Sequence, residues 1–362
     1  MGKQLKIFFD FLRFSIGSVK EIPGSLKEAD WKELYAIAKK QCLVGVLFDG
    51  IKKLPAEYVG MKKELLLQWM AESQMLEKAN ARLNDAAIQV SEWFRKKGFR
   101  TCILKGQGNA LMYPNPYSRT PGDIDIWVEG GDKRVISFVR SISPHEKACY
   151  HHIEFPSYKG IEVEVHYRPS FLLCFWHNRK LQKYYERVQE EQFSHRVMLG
   201  EQGEVAIPTA EFNLIFQLTH IFTHLMNEGI GLRQLLDYYY VISMLSVNCE
   251  MLTSLQKELK ELGLWKFAGA IMYIMHEVFG MHASRLIVPP NEKYGRFVLN
   301  EVLEAGNFGK HDARNRFGKS PLGHNLQRVY RDIRLVTYFP AEALCEPIFR
   351  TWHFFWRMKN KK

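Results

Sequence analysis

The chain has 362 residues, 46% of them apolar and 25% charged, a balance that supplies a large core and excludes wholesale disorder. Fifty basic against 39 acidic side chains leave a formal charge of +11, and the length corresponds to two or three lobes. No apolar run approaches the roughly 18 residues of a membrane span. The opening apolar stretch is cut by Asp10 and Arg13 with no small-residue cleavage site behind it, so the expected compartment is the cytoplasm.

The six cysteines include no C-x-x-C pair, which excludes metal-finger and disulfide frameworks and predicts reduced, mostly buried thiols. Charge is uneven: residues 285–362 hold 15 Lys/Arg against 7 Asp/Glu, a net of +8. That bias predicts a polyanion contact through the basic C-terminal region, weighed against a solvated basic face.

Residues 1–97 carry helical periodicity. Trp31, Leu34, Ile37 and Ala38 form one stripe behind Asp30 as N-cap. Residues 63–97 lack Pro and Gly, predicting one long helix closed by Gly98. The pattern then changes. Phe99–Leu104 reads as a strand, Lys105-Gly106-Gln107-Gly108 as a turn into the apolar segment Asn109–Tyr113, and a Pro-rich loop follows. Asp123–Val128 alternates acidic and apolar residues like a strand with one functional face. A helix from Gly130 to about Ile142 and strands at Ala148–Phe155 and Gly160–Tyr167 complete a small mixed sheet with helices against it. Helices return with Thr209–Asn227 and Leu232–Ser246, continue through Leu252–Phe279, and include Tyr294–Leu303. Gly306–Gly323 reads as a basic loop.

The chemistry concentrates between Leu104 and Val128. Asp123 and Asp125 share one strand face, where two carboxylates repel unless a cation lies between them. Oxygen ligands suit Mg²⁺. A second acidic strand repeats the geometry with Glu162 and Glu164, and either could bring a third carboxylate to the same metal. Two ions bridged in this way would activate an attacking oxygen and stabilise a leaving pyrophosphate. The Lys-Gly-Gln-Gly turn, opening into a helix, offers backbone N–H groups to phosphate, with Lys105 or Arg119 adding charge.

At these residues the chain resembles an uncharacterised bacterial branch of the nucleotidyltransferase-like proteins in the polymerase-β superfamily. The matching elements are Leu104-Lys105-Gly106, Tyr113-Pro114, Arg119, Gly122-Asp123-Ile124-Asp125 and Glu164-Val165-His166-Tyr167. The helical segment Gly231–Asp237 and the basic C-terminal end are also similar. About 16 residues separate Gly106 from Asp123, a loop longer than the minimal superfamily pattern and shared by the branch.

The resemblance implies an α+β fold: a small mixed β-sheet nucleotidyltransferase core at 98–170, an N-terminal helical region at 1–97 and a C-terminal helical region with a basic tail at 171–362. It implies Mg²⁺, as two ions with Mn²⁺ as substitute, held by Asp123, Asp125 and Glu164 as catalytic acids. Nucleotide-facing roles fall to Lys105, Gly106, Gln107, Arg119, Arg233 and Asp237. The implied activity is transfer of a nucleoside monophosphate from an NTP to an acceptor, whether protein, RNA or small molecule. A metal-dependent glycosyltransferase using the Asp-x-Asp pair is the alternative enzyme, expected to show a larger sheet before the motif. An inactive nucleotidyltransferase-fold binding module is the third reading, opposed by retention of all three acids.

Four other features carry structural expectations. His220 and His224, four apart on a helix, are expected to be a hydrogen-bonded structural pair. His151 and His152 are expected on opposite strand faces. Arg233 and Asp237 have the spacing of an intrahelical ion pair. The aromatic and cationic segment Phe349–Lys359 suits a membrane interface, single-stranded nucleic acid or docking on the body, the last being favoured.

Overall fold

Helices α1 (Lys3–Ile16), α2 (Trp31–Lys40) and α3 (Val44–Ile51) bury an apolar stripe each, and α2 starts where the Asp30 carboxylate accepts N–H bonds from Lys32 and Glu33 at 3.0 and 3.2 Å. The computed structural model describes every residue except Met1, Gln202, Ser246, Val247, Arg316, Gly318, Lys319, Lys361 and Lys362. Helix α4 (Lys63–Lys96) runs 34 residues without interruption and ends at Gly98, whose φ of +81° is the left-handed turn glycine accommodates. Its two halves serve different cores. Trp69 packs with α1–α3, whereas Leu83, Ala87, Val90 and Phe94 pack on the sheet.

That sheet has four strands: β1 (Thr101–Ile103), β2 (Ile124–Val128), β3 (His152–Tyr158) and β4 (Ile161–His166), in the order β1-β2-β4-β3. β2 and β4 are parallel and the other pairs antiparallel, the mixed sheet that the sequence predicts. A single turn, α5 (Gln107–Ala110), follows β1, and α6 (Gly131–Ile142) follows β2. Strand alternation separates the two faces. Ile124, Ile126 and Val128 on β2, with Val163 and Val165 on β4, join the α4 and α6 side chains in one apolar cluster. The opposite face carries Asp125, Trp127, Glu164 and His166.

Helix α7 (Phe175–Ser194) leads into a hairpin, β5 (Arg196–Leu199) and β6 (Gly203–Ala206), a pair of strands inside the region expected to be helical. Then come α8 (Ala210–Asn227), α9 (Leu232–Met244), α10 (Cys249–Glu261), α11 (Trp265–Glu277), α12 (Glu292–Ala305), α13 (Pro321–Leu335) and α14 (Pro340–Lys359). One apolar cluster runs from Phe8 and Phe11 through Phe216 and Phe267 to Phe349, so the N- and C-terminal helices share a core. Trp127 ties the polar sheet face to it, 4.6 Å from Phe193 and 5.9 Å from Phe212. Among the described residues no helix is long and apolar enough to cross a membrane.

Four arginines of the basic C-terminal region pair with acids of the same region, which leaves its net charge as counted. Arg314 pairs with Asp312 and Glu301, Arg334 also reaches Glu301, and Arg328 and Arg350 share Glu346. Arg316 and Lys319, part of the predicted basic loop, lie outside the described residues.

Candidate active site

The polar face of the sheet and the helices α8 and α9 enclose a cleft of about 360 Å³, a size suited to a small ligand. Parallel pairing of β2 with β4 sets Asp125 beside Glu164, and Asp123 stands just before β2 on the same side. Oxygens of Asp123, Asp125 and Glu164 lie within 4.8 Å of one another. Glu162, the competing acid, is exposed and outside this group. Register therefore selects Glu164, which spacing alone left open.

Burial and proximity make this trio electrostatically uneven. The neighbouring Asp125 charge and burial push the Asp123 carboxyl up to about 6. Asp125 is only 4% exposed, and burial alone would raise its pKa. It is instead held well below the carboxylate range by Lys105 and His166. Lys105 Nζ and His166 Nε2 both stand 2.9 Å from Asp125 Oδ1. Burial opposes the charge on His166, but its bonds to Asp125 and Glu164 raise it to about 9. Glu164 is pulled down against its burial by His166. Two cations crowd one carboxylate oxygen, and Lys105, expected among the phosphate ligands, is the counter-ion of the acids.

Gly106 makes this placement possible. Its φ of +52° turns the chain directly behind Lys105. The helix expected behind the Gly loop is the single turn α5, too short to develop a helix-terminal field. Gln107 is buried with its side-chain amide on Asn84 Oδ1 and, at 3.4 Å, on the Asn80 carbonyl of α4. It secures the loop to α4 and does not bring its side chain into the cleft.

Arg119 and Asp237 meet each other on the wall of the cleft. Arg119 Nε and Nη2 donate to the two Asp237 oxygens, each at 2.8 Å, and Tyr113 Oη adds a bond to Oδ1 at 2.7 Å. This buried fork pins the 113–120 loop to α9. The intrahelical Arg233–Asp237 hydrogen bond suggested by spacing does not form. Arg233 donates through Nη1 to the Thr120 carbonyl at 3.0 Å, while its buried Nε has no hydrogen-bond partner. Burial and the nearby Arg119 charge lower its pKa. Arg233 thus carries a poorly compensated cation on the wall of the cleft beside Gly122.

Histidines are the residues that sequence reasoning underused. His151, His152, His166, His220 and His224 all line the cleft. His220 and His224 are neighbours at 4.2 Å between rings, but each bonds elsewhere. His220 Nε2 is 3.3 Å from Lys105 Nζ, and His224 pairs with Glu228. The expectation for His151 and His152 is overturned: His151 Nε2 lies 3.1 Å from His152 Nδ1. β3 begins only at His152, so His151 sits in the preceding bend, free of strand alternation. Burial lowers the pKa of His151 and His220 strongly and that of His152 to about 4, so these three imidazoles are neutral at pH 7.

A comparison with curated proteins gives no match. The solved structure of an antigenic nucleotidyltransferase-like protein from Paracoccidioides brasiliensis is similar at 15% identity, covering 52% of this chain and 89% of that one, with a TM-score of 0.29. So loose a superposition carries no argument about the site. The family model described as uncharacterised nucleotidyltransferase matches residues 27–280, a span that holds the whole sheet, all three acids and both arginines of the cleft. The chain belongs to that family.

Proposed function

We propose that this protein is a metal-dependent nucleotidyltransferase of the polymerase-β type, moving a nucleoside monophosphate from an NTP to an acceptor hydroxyl. The observation that carries this reading is the convergence of Asp123, Asp125 and Glu164 within 4.8 Å on one sheet face inside the cleft. The trio fits a divalent cation: its oxygens are hard donors, and its mutual repulsion is already answered by Lys105 and His166 on Asp125. Bound Mg²⁺ or Mn²⁺ would supply Lewis-acid stabilisation of charge on the phosphates and leaving group.

The chain's own groups do the remainder. Arg233, a cation on the cleft wall, meets phosphate charge through its guanidinium. Lys105, the counter-ion of Asp125, would be free to turn its ammonium to the triphosphate if the acids held a divalent cation. The acceptor oxygen attacks the α-phosphorus, the bond to the β-phosphate oxygen breaks, and pyrophosphate leaves. The acceptor proton passes to solvent, since His220, 3.3 Å from Lys105, is kept neutral by burial and by that ammonium and resists protonation. The four-stranded sheet lacks the larger βαβ array expected of the glycosyltransferase alternative.

The test is incubation with each α-³²P-labelled NTP, Mg²⁺ and cell lysate, following the label. Asp123→Asn with Asp125→Asn should cut label transfer by at least about 10³-fold, and Asp123→Asn alone, which leaves the Lys105 and His166 contacts of Asp125 in place, should lose transfer while the thermal midpoint holds. Undiminished transfer by the double variant would refute the assignment.

A further inference from the structure

The acid trio shares its third member with a second set of donors. β3 and β4 pair antiparallel with His152 opposite His166, and Glu164 stands two residues before His166 on the same face. His152 Nδ1 and His166 Nε2 each lie 3.4 Å from the same Glu164 oxygen, Oε2. All three donor atoms fall within 4.8 Å of one another.

Those separations are long for hydrogen bonds to a carboxylate, which cluster at about 2.7–2.9 Å. They match ligands around a small ion: two donors each about 2.05 Å from a tetrahedral centre are roughly 3.3 Å apart. The surroundings orient the rings for that use. His166 Nδ1 faces the Arg168 carbonyl at 3.4 Å, as a second contact does for histidines that bind metals, while the present bonds of His166 Nε2 to Asp125 and of His152 Nδ1 to His151 are the ones an ion would replace. His166 is 2% exposed, whereas the His152 and Glu164 side chains open partly to the cleft at 17% and 33%, leaving room for a further ligand.

We infer that His152, Glu164 and His166 form a nitrogen-containing site for a Zn²⁺-class transition ion, adjacent to the all-oxygen site and joined to it through Glu164. Imidazole donors suit Zn²⁺ and its neighbours, whereas Mg²⁺ keeps oxygen ligands and water. The protein would therefore hold two chemically different ions, and Glu164 would answer to both. Binding at this site rests on its geometry alone; any use of the ion in transfer rests on the proposed function.

The experiment titrates Co²⁺, a coloured surrogate for Zn²⁺, into the chelator-treated full chain, with visible absorption and metal content as readouts. Wild type should bind Co²⁺ with low-symmetry d–d bands that Zn²⁺ removes and millimolar Mg²⁺ does not. His152→Gln, at a partly open position, should lose about 10–100-fold in affinity with an unchanged melting curve, and His166→Gln should lose at least as much. Cys174→Ser controls for the separate Cys174, His177 and Glu342 group and should bind as wild type does. Wild-type affinity in both histidine variants, displacement by Mg²⁺, or loss of the bands in Cys174→Ser would overturn the assignment. Asp123→Asn keeps the outcomes apart: intact Co²⁺ binding with undiminished transfer would contradict the proposed function and leave this site standing.

Discussion

Two buried cation–aspartate pairs lie in one cleft and are built on opposite plans. In the Arg119–Asp237 pair a planar fork meets both carboxylate oxygens at 2.8 Å, with Tyr113 completing the set. Donors and acceptors match across the fork, and only Arg119 Nη1 is loosely held, 3.4 Å from the Thr120 carbonyl. At Asp125, Lys105 and His166 crowd a single oxygen while Asp123 and Glu164 press negative charge from either side. The first arrangement is a finished structural joint. The second is a charge cluster held in balance by groups that a metal and a triphosphate would displace. Residue type alone does not separate the two, since both are basic residues on aspartates; what does is that one guanidinium spans both oxygens of Asp237, whereas two separate cations converge on Oδ1 of Asp125.

The contrast is broken most severely by removing one half of the finished joint. Arg119→Ala strands the Asp237 carboxylate in the interior and should cost about 3–5 kcal/mol, read from urea unfolding. Loss of activity in that variant should track loss of fold. At the crowded site the sign reverses. The folded pKa of Asp123, about 6, lies above its unfolded value, so metal-free protein loses stability as pH rises from about 4 to 6. Asp123→Asn removes that cost and should stabilise the chelated protein at pH 8 by on the order of 2 kcal/mol, with the pH slope flattened. A melting curve with a falling midpoint would count against the crowding account.

Smaller effects sharpen the same comparison. Arg233→Ala should weaken NTP binding about tenfold with little change in stability, because its guanidinium is only partly hydrogen bonded. Calorimetric titration of NTP at fixed Mg²⁺ reads this, and wild-type affinity would place the phosphates elsewhere. Lys105→Ala should move two quantities in opposite directions: NTP affinity falls, while Mg²⁺ affinity without nucleotide rises, since Asp125 loses its resident ammonium.

How far the sequence carries this picture depends on the range of each interaction. Local signals are legible: the Asp30 cap, the uninterrupted α4 and the Asp-x-Asp alternation on β2 all involve residues a few positions apart. The β5–β6 hairpin carries only a weak signal, two short apolar runs around Gly200 and Gly203, and its strands are four residues each and sit among helices. Choosing Glu164 over Glu162 needs the β2–β4 register. The Arg119–Asp237 fork spans 118 positions, and no local pattern announces it; the same residues at helical spacing suggested Arg233 as the partner. His151 was misplaced by one residue of strand onset, which is enough to reverse a side chain's face. In the basic C-terminal region the net of +8 already counts Glu301, Asp312 and Glu346, and what only tertiary packing supplies is which arginines they meet, Arg314 and Arg334 for Glu301 and Arg328 for Glu346.

The most direct measurement is a crystal structure of the chain with Mn²⁺ and a non-hydrolysable NTP, with anomalous differences locating the metal. The account predicts anomalous density among Asp123, Asp125 and Glu164, Lys105 Nζ withdrawn from Asp125 towards phosphate, and the Arg119–Asp237 fork unchanged. Manganese and nucleotide bound away from the three acids, or Arg119 released from Asp237 onto the phosphates while Lys105 stays on Asp125, would contradict it.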